Sequence, residues 1–417
     1  ASASSVDIGG YTDWRVPTVK ELYSLILFTG IDPSGWNGSA DDLVPFIDTD
    51  YFDFGYGDIS AGERIIDAQF ATTTLYMGTT MNGEESMFGV NFADGRIKGY
   101  PIGPMPGQNE DKQFYVYYVR GSDDYGINDF EDNQDETISD NATGLMWSQN
   151  DSAEGLNWEE ALDWVEQKNS ENHLGHNDWR LPNVKELQSI VDYSRALSVT
   201  NSAAIDPLFN CTEIIDEGGS ANFPFYWSGT THANWTDQPG SFASYVAFGE
   251  ALGWMEEPPM SGNYTLMDVH GAGAQRSDPK SGDPADYPYG HGPQGDVIRI
   301  YNYVRLVRDF SSASDENILP ETGGIELFQN SPNPFNPSTT ISFSSDIQSE
   351  QKTELNIYDL KGNKIKSFPD FIVSQTLNYQ IIWDGKDDSG KKVCSGIYLY
   401  QLKSGEFTEI RKMMMIK

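Results

Sequence analysis

The sequence predicts an α+β protein made of two related modules, followed by an all-β sandwich at the C-terminal end. Three observations carry that reading. The stretch Asp178-Trp179-Arg180-Leu181-Pro182-Asn183-Val184-Lys185-Glu186-Leu187 reappears near the N-terminus as Asp13-Trp14-Arg15-Val16-Pro17-Thr18-Val19-Lys20-Glu21-Leu22, and an internal repeat this close marks a duplicated fold unit. Within 417 residues, 40 Gly and 21 Pro accompany 38% apolar and 13% aromatic content, which points to packed but loop-rich modules rather than helical bundles. Beyond residue 324, alternating runs such as Leu355, Ile357, Tyr358 and Ile397, Leu399, Gln401 read as strands with one buried face. The length suits about three domains at roughly 100–200 residues each.

Each copy of the repeated stretch reads as an entry into a helix. Pro17 or Pro182 fixes the approach, Thr18 or Asn183 caps, and Glu21 or Glu186 closes a capping box three residues later. The apolar face that follows is Val19, Leu22, Leu25, Ile26 in the first copy and Val184, Leu187, Ile190, Val191 in the second. The residues before the cap, Asp13, Trp14, Arg15 and Asp178, Trp179, Arg180, read as a hydrogen-bonded anchor, because a guanidinium pairs with carboxylates or carbonyls while its stem packs. A ligand contact is the alternative.

In chain order, residues 1–127 form the first module and residues 128–310 the second. The second opens with a hairpin over residues 135–147 and a helix over residues 158–167, capped by Asn157 and Glu160; the first lacks both. Either the chain is a fragment of a longer precursor or another segment completes this module. Tyr76-Met77-Gly78-Thr79-Thr80 is matched with Trp227-Ser228-Gly229-Thr230-Thr231, and residues 114–120 with 302–308. Residues 87–99 form a hairpin turning at Ala93-Asp94-Gly95. The acidic run holding Asp132, Asn133, Asp135 and Asp140 reads as a solvated turn, with calcium as the alternative because that ion takes clustered oxygens. Residues 254–296 read as one long loop. Such loops are functional or bracing, and His270, Arg276, Asp278, Tyr287, Tyr289 and His291, together with Trp227 and Trp235 of the neighbouring segment 227–235, are the candidate ligand-binding residues, since convergent polar groups and aromatic faces make recognition surfaces. A polar linker at residues 311–323 precedes the tail, residues 324–417, with strands expected at 339–343, 353–359, 376–383, 396–403 and 408–416.

Several motifs carry family resemblances. Asn141-Ala142-Thr143-Gly144-Leu145-Met146-Trp147, Trp158-Glu159-Glu160-Ala161-Leu162, Asp178-Trp179-Arg180-Leu181-Pro182 and Tyr303-Val304-Arg305-Leu306-Val307-Arg308 resemble the Lcl C-terminal domain family of bacterial adhesins. That resemblance implies a C-type-lectin-like fold, related to that of formylglycine-generating enzymes, in two copies. Phe328-Gln329-Asn330-Ser331-Pro332-Asn333-Pro334-Phe335-Asn336-Pro337, Tyr358-Asp359-Leu360-Lys361-Gly362, Trp383-Asp384-Gly385 and Ser395-Gly396-Ile397-Tyr398 resemble the C-terminal sorting domains of type IX secretion cargo, whose immunoglobulin-like fold is similar to the FlgD type. The implied partner is the type IX secretion machinery. The implied destination is the outer-membrane surface of a Gram-negative bacterium or the extracellular space.

Charge narrows the function. With 63 acidic and 27 basic residues, net −36, the chain repels polyanions, so nucleic acid and sulfated glycans are disfavoured. Cys211 and Cys394 fall in different domains and read as free thiols, with pairing across an interface as the alternative. No run approaches the roughly 20 apolar residues that cross a bilayer. Formylglycine chemistry needs a cysteine pair that the lectin-like region lacks, and no hydrolase elbow, metalloprotease helix or phosphate loop is present. The expectation is a non-enzymatic adhesive or structural surface protein without a certain cofactor. It contacts glycan or protein, and its incomplete first module exposes an edge through which chains join head-to-tail into a filament; a monomeric glycan-binding adhesin is the alternative.

Overall fold

Both copies of the repeated stretch enter their helices through the same cap. In the computed structural model of the chain, described over residues 7–104, 112–258, 260–310 and, in the tail, 325–328, 330, 335, 338–359, 363–369, 371–393, 396–405 and 407–415, three helices matter most: α1 (Val19–Tyr23), α2 (Trp158–Ser170) and α3 (Val184–Ser189). All three carry a full capping box, from Thr18, Asn157 and Asn183 to the glutamate three residues on. The linker at 311–323, Cys394 and most of the 331–337 motif lie outside the described residues.

The chain divides into two compact units, Ala1–Ser311 and Ser312–Lys417. Both repeats belong to the first unit because they build one sheet. Its strands run, side by side, Gln69–Phe70, Ser86–Asn91, Arg96–Pro101, Gln275–Pro279, Phe242–Ala247 and Phe225–Thr231. The order is a palindrome: three strands of the first repeat meet their counterparts in the second, antiparallel, with Ile97 opposite Gln275. Gly99 sits at this seam, its N–H donating to the His270 carbonyl at 2.9 Å; a Cβ there would stand 2.6 Å from that oxygen, so only glycine lets the backbones approach. The helices obey the same symmetry. Lys20 Nζ donates to the Ser189 carbonyl at 2.7 Å, and its counterpart Lys185 donates to the Ser24 carbonyl at 2.8 Å, each ammonium meeting the carbonyl end of the other helix.

A second sheet belongs to the second repeat alone: Val307–Asp309, Leu145–Ser148, Thr137–Asp140 and Phe130–Asp132. One core cluster runs from Val19, Leu22 and Ile26 across to Leu187, Ile190 and Trp147. Another lies under α2, where Ala161 and Val165 cover Trp179, Trp227, Val304 and Leu306.

The region expected as one loop, residues 254–296, instead holds most of the hairpin Leu252–Glu256 with Tyr264–Asp268 and then the central strand Gln275–Pro279. Glycine and proline at the turns hid the alternation within these strands. In the tail, the two strands expected at 339–343 and 353–359 are one strand, Thr339–Asp359, that changes partner at Thr353: the earlier part pairs with Phe371–Trp383 and the later part with Gly396–Ser404. Phe407–Met415 pairs beside the latter, and Lys364–Ser367 and Ile325–Leu327, absent from the sequence reading, pair with the long strand too. Trp383 and Tyr398 meet edge to face at 5.4 Å in the tail core.

Candidate functional site

The two repeats share a hydrogen-bond lattice that the sequence motif encodes. Arg15 forks onto Glu21 at 2.7 and 2.5 Å, and Arg180 onto Glu186 at 2.7 and 2.9 Å. Asp13 holds Arg120 at 3.0 and 3.1 Å; Asp178 holds Arg308 at 2.7 and 3.1 Å. The backbone of Arg15 exchanges two bonds with Val119, as that of Arg180 does with Val307. Thr74 and Thr230 each accept the first helical N–H, from Val19 and Val184, at 3.0 Å. Trp14 and Trp179 donate to carbonyls of Ile8 and His173. These anchor residues are thus internally committed. The shared lattice also corrects a register: Thr74 is the counterpart of Thr230, so Tyr76–Thr80 does not correspond to Trp227–Thr231.

Where the seam of the sheet meets the loops of both repeats, a cavity of about 900 Å³ opens, lined by Asp32, Trp36, Arg96, Lys98, Tyr100, His232, His270, Arg276, His291 and Asp296 among others. Its charges come in matched sets. Arg96 binds Asp32 at 2.6 Å and Asp94 at 3.2 Å, and Lys98 binds Asp94 at 3.1 Å. Arg276 binds Asp296 at 2.5 Å, and His270 Nε2 lies 2.7 Å from the same carboxylate. Burial works against ionising Asp296, yet the Arg276 guanidinium outweighs it, with a hydrogen bond from His270, and holds its carboxyl well below the usual range. Burial likewise opposes the charge on Asp32, which Arg96 restores. Burial pulls both His270 and His232 down to about 4, so both imidazoles are neutral near pH 7. The wall therefore offers fixed, mutually neutralised donors and acceptors. At its edge Trp36 meets Trp235 edge to face at 5.3 Å, with Trp235 donating to the Ser34 carbonyl at 2.8 Å.

Of the sequence candidates, His270, Arg276 and His291 line this cleft, and Trp235 braces its aromatic edge. Trp227 does not: it is fully buried under α2 and donates to the Leu156 carbonyl at 2.8 Å. Asp278 is also buried, accepting the Arg299 N–H at 3.1 Å, and burial raises its carboxyl to about 6. Tyr289 lies apart, stacked on Tyr264 at 4.0 Å, and Tyr287 is half-buried outside the lining. Sequence reasoning missed Arg96, Lys98, Tyr100 and Asp32, all from the first repeat. The available signal was repeat symmetry, since Lys98 is the strand counterpart of Arg276.

The side chains of the acidic run brace its own turns. Asp132 accepts the Gln134 N–H at 2.9 Å, Asp135 accepts from Thr137, and Asn133 bonds Thr137 and Ser139. Asp140 is buried and accepts from Asn128, Asp129, Ala142 and Thr143. Among the described residues no group of three or more His, Cys, Asp or Glu is arranged to hold a metal ion. Cys211 is a free thiol beside the Tyr226 hydroxyl at 3.1 Å, and burial raises it to about 11.

Comparison with known proteins identifies two segments. The family model described as the Lcl C-terminal domain matches residues 136–266. The model described as the secretion system C-terminal sorting domain matches residues 331–417. The chain thus carries a type IX sorting domain, which indicates export to the cell surface or extracellular space. Among the described residues no helix is long and apolar enough to cross a membrane. None of the curated proteins matches. Among solved structures the chain is similar to dimeric latent PorU from Porphyromonas gingivalis, at 14% identity and TM-score 0.20 over 42% of this chain and 18% of that one. It is also similar to PorZ, a surface component of the type IX secretion system of the same organism, at 10% identity and TM-score 0.17 over 82% of this chain and 45% of that one. A β-glucosidase from Listeria innocua matches at 13% identity and TM-score 0.16, over 23% of this chain and 16% of the enzyme. Scores this low establish no shared fold.

Proposed function

We propose that this chain is a non-enzymatic adhesive protein of the cell surface or extracellular space, built from two C-type-lectin-like copies of one module and an immunoglobulin-like, FlgD-like sorting tail. The cleft between the repeats is its recognition site. The observation that carries this reading is the 900 Å³ cavity walled by both repeats, with Trp36 and Tyr100 beside paired Arg, His and Asp side chains. Neutralised pairs with fixed geometry suit a glycan, whose hydroxyls both donate and accept and whose C–H faces pack on aromatic rings. The same pairing supports a binding role over catalysis: Asp296 and Asp32 are tied to arginines and the buried imidazoles are uncharged, whereas an acid or base at work needs a pKa near the operating pH.

A glycan array read with the intact protein and with the double variant Trp36→Ala, His291→Ala tests this. Neither residue is fully buried, so folding persists while binding weakens by about tenfold or more. Unchanged binding by the variant would move the site out of the cleft. A second reading, assembly with neighbouring chains into an extracellular filament, is favoured by the edge at residues 118–120, where the Tyr118 carbonyl and the Arg120 N–H have no backbone partner among the described residues.

A further inference from the structure

The Lys20 amine is held entirely by uncharged oxygens. Its Nζ donates to the carbonyls of Gly126 at 2.9 Å and Ser189 at 2.7 Å, and to Asn128 Oδ1 at 3.1 Å. The carboxylates that favour its charge, Asp192 and Asp140, act at longer range, and burial outweighs them, pulling the ammonium down to about 8. The backbone leading to Asn128 lies so close over the Lys20 stem that a Cβ at Gly126 would stand 2.7 Å from Lys20 Cδ. A buried ammonium is ordinarily matched by a carboxylate. Here the side chain that meets it is a carboxamide.

The carboxylate stands one step further on. Asn128 Nδ2 donates to Asp140 Oδ2 at 2.8 Å. Asp140 is fully buried, and it is fixed by the Thr143 hydroxyl at 2.7 Å, the Asp129 N–H at 2.9 Å and the Ala142 N–H at 3.2 Å. Amine, carboxamide and carboxylate thus form a row from α1 of the first repeat to the strand Thr137–Asp140 of the second.

We propose that Lys20 and Asn128 join in an intramolecular isopeptide bond, with ammonia as the leaving group. As a free amine Lys20 has two N–H groups, which the Gly126 and Ser189 carbonyls take, so its lone pair faces the Asn128 carboxamide. The lone pair attacks Cγ and the Nζ–Cγ bond forms. The Cγ–Nδ2 bond breaks as one proton passes from Nζ to Nδ2 through Asp140 Oδ2, and ammonia departs. The exchange is redox-neutral and needs no further reactant. Desolvation activates a lysine as a nucleophile, and holding it against the carboxamide replaces a chance encounter by a fixed one. With the ammonium at about 8, about a tenth of the chains carry the amine at pH 7. The bond closes a loop over residues 20–128 and ties the first repeat to the second, restricting the unfolded chain as other long-loop cross-links do. The ammonium and its pH response belong to the chain before the bond forms; afterwards Lys20 no longer titrates. This inference is independent of glycan binding at the cleft.

The test is intact-mass spectrometry of the full chain held at about pH 9, where the amine predominates. The expected mass falls below that of the sequence by one ammonia, about 17 Da. A tryptic map then shows residues 16–64 joined to residues 121–168, with no cut after Lys20. Lys20→Arg and, separately, Asn128→Ala keep the full mass while circular dichroism shows a folded chain. Asp140→Asn slows the reaction by about a hundredfold; an unchanged rate overturns the relay. The map of the parent chain decides the bond itself without any variant. Full mass after prolonged incubation, complete cleavage after Lys20, or ammonia loss that maps to Asn37-Gly38 or Asn82-Gly83 overturns the proposal.

Discussion

The two repeats agree in their lattice and differ in what covers it. Arg–Glu fork, Asp–Arg clamp, capping box and edge pairing recur bond for bond, but α2 and the 130–148 hairpin attend only the second repeat. There Val304 and Leu306 are fully buried; their counterparts are Val116, 38% exposed, and Tyr118, half-buried. Part of the loss is repaired locally. The counterpart of Trp227 is Ala71 and that of Tyr245 is Gly89, on whose face Tyr100 packs so closely that a Cβ would lie 2.8 Å away. The difference teaches that the repeated motif specifies how a helix and an edge strand are joined, and that covering the resulting face is a separate task, carried out in the second repeat by α2 and the hairpin.

Three tests break or sharpen this comparison. The largest effect is expected for Trp147→Ala, which removes the aromatic that packs opposite Val307 in the core of the second repeat. The cost should be about 3–5 kcal/mol in urea unfolding followed by circular dichroism, the range for deleting a buried aromatic. A loss under about 1 kcal/mol would mean that Trp147 does not hold the second repeat's core together.

Next is the pH dependence of the lock between the repeats. Burial holds the Lys20 ammonium down at about 8, against a usual 10.5. Between those values the unfolded chain binds more protons than the native one, so stability rises with pH across the window and the favourable term is absent below it. Lys20→Met should remove a rise on the order of 2 kcal/mol between pH 8 and 10.5. A variant with the same pH slope as the parent would show that Lys20 is charged and satisfied in place, held by its bonds to Gly126, Asn128 and Ser189.

The smallest effect separates the two forks. Arg15→Ala should cost about 1–2 kcal/mol and Arg180→Ala about 1 kcal/mol, because the carboxylates that Arg180 binds, Glu186 and Asp309, are the more exposed and better screened by solvent. Glu21 keeps 8% side-chain exposure and Glu186 18%. Equal costs, again by urea unfolding, would show that the environment of the glutamate does not matter.

Local features were legible in the sequence because their partners are a few residues away. Thr18 to Glu21, Asn157 to Glu160 and Asn183 to Glu186 are three-residue relations, and the apolar faces after them follow helical spacing. The match of 114–120 with 302–308 was legible for the same reason, as a continuous ungapped run. Thr74 was missed as the counterpart of Thr230 because the strand that precedes it has only two paired residues, Gln69–Phe70, too short for a pattern to fix its register. In the cleft, His270, Arg276 and His291 were legible as polar residues in a stretch without a clean period. Trp227 and Asp278 looked alike in sequence but are buried, since composition does not report which face of a strand a residue takes.

The sequence by itself determined the twice-occurring Asp-Trp-Arg stretch, the capped helix entries, the alternating strands of the tail and a sorting motif, all of which rest on local bonding or on short-range periodicity. Only the tertiary structure decided that the two copies meet strand to strand across one palindromic sheet and that Arg96 and Lys98 of one copy face His270 and Arg276 of the other. Those outcomes depend on backbone groups far apart in the chain finding partners across the seam, where a glycine at 99 permits an approach that any side chain would block, and no periodicity along the chain records which distant edge will satisfy them.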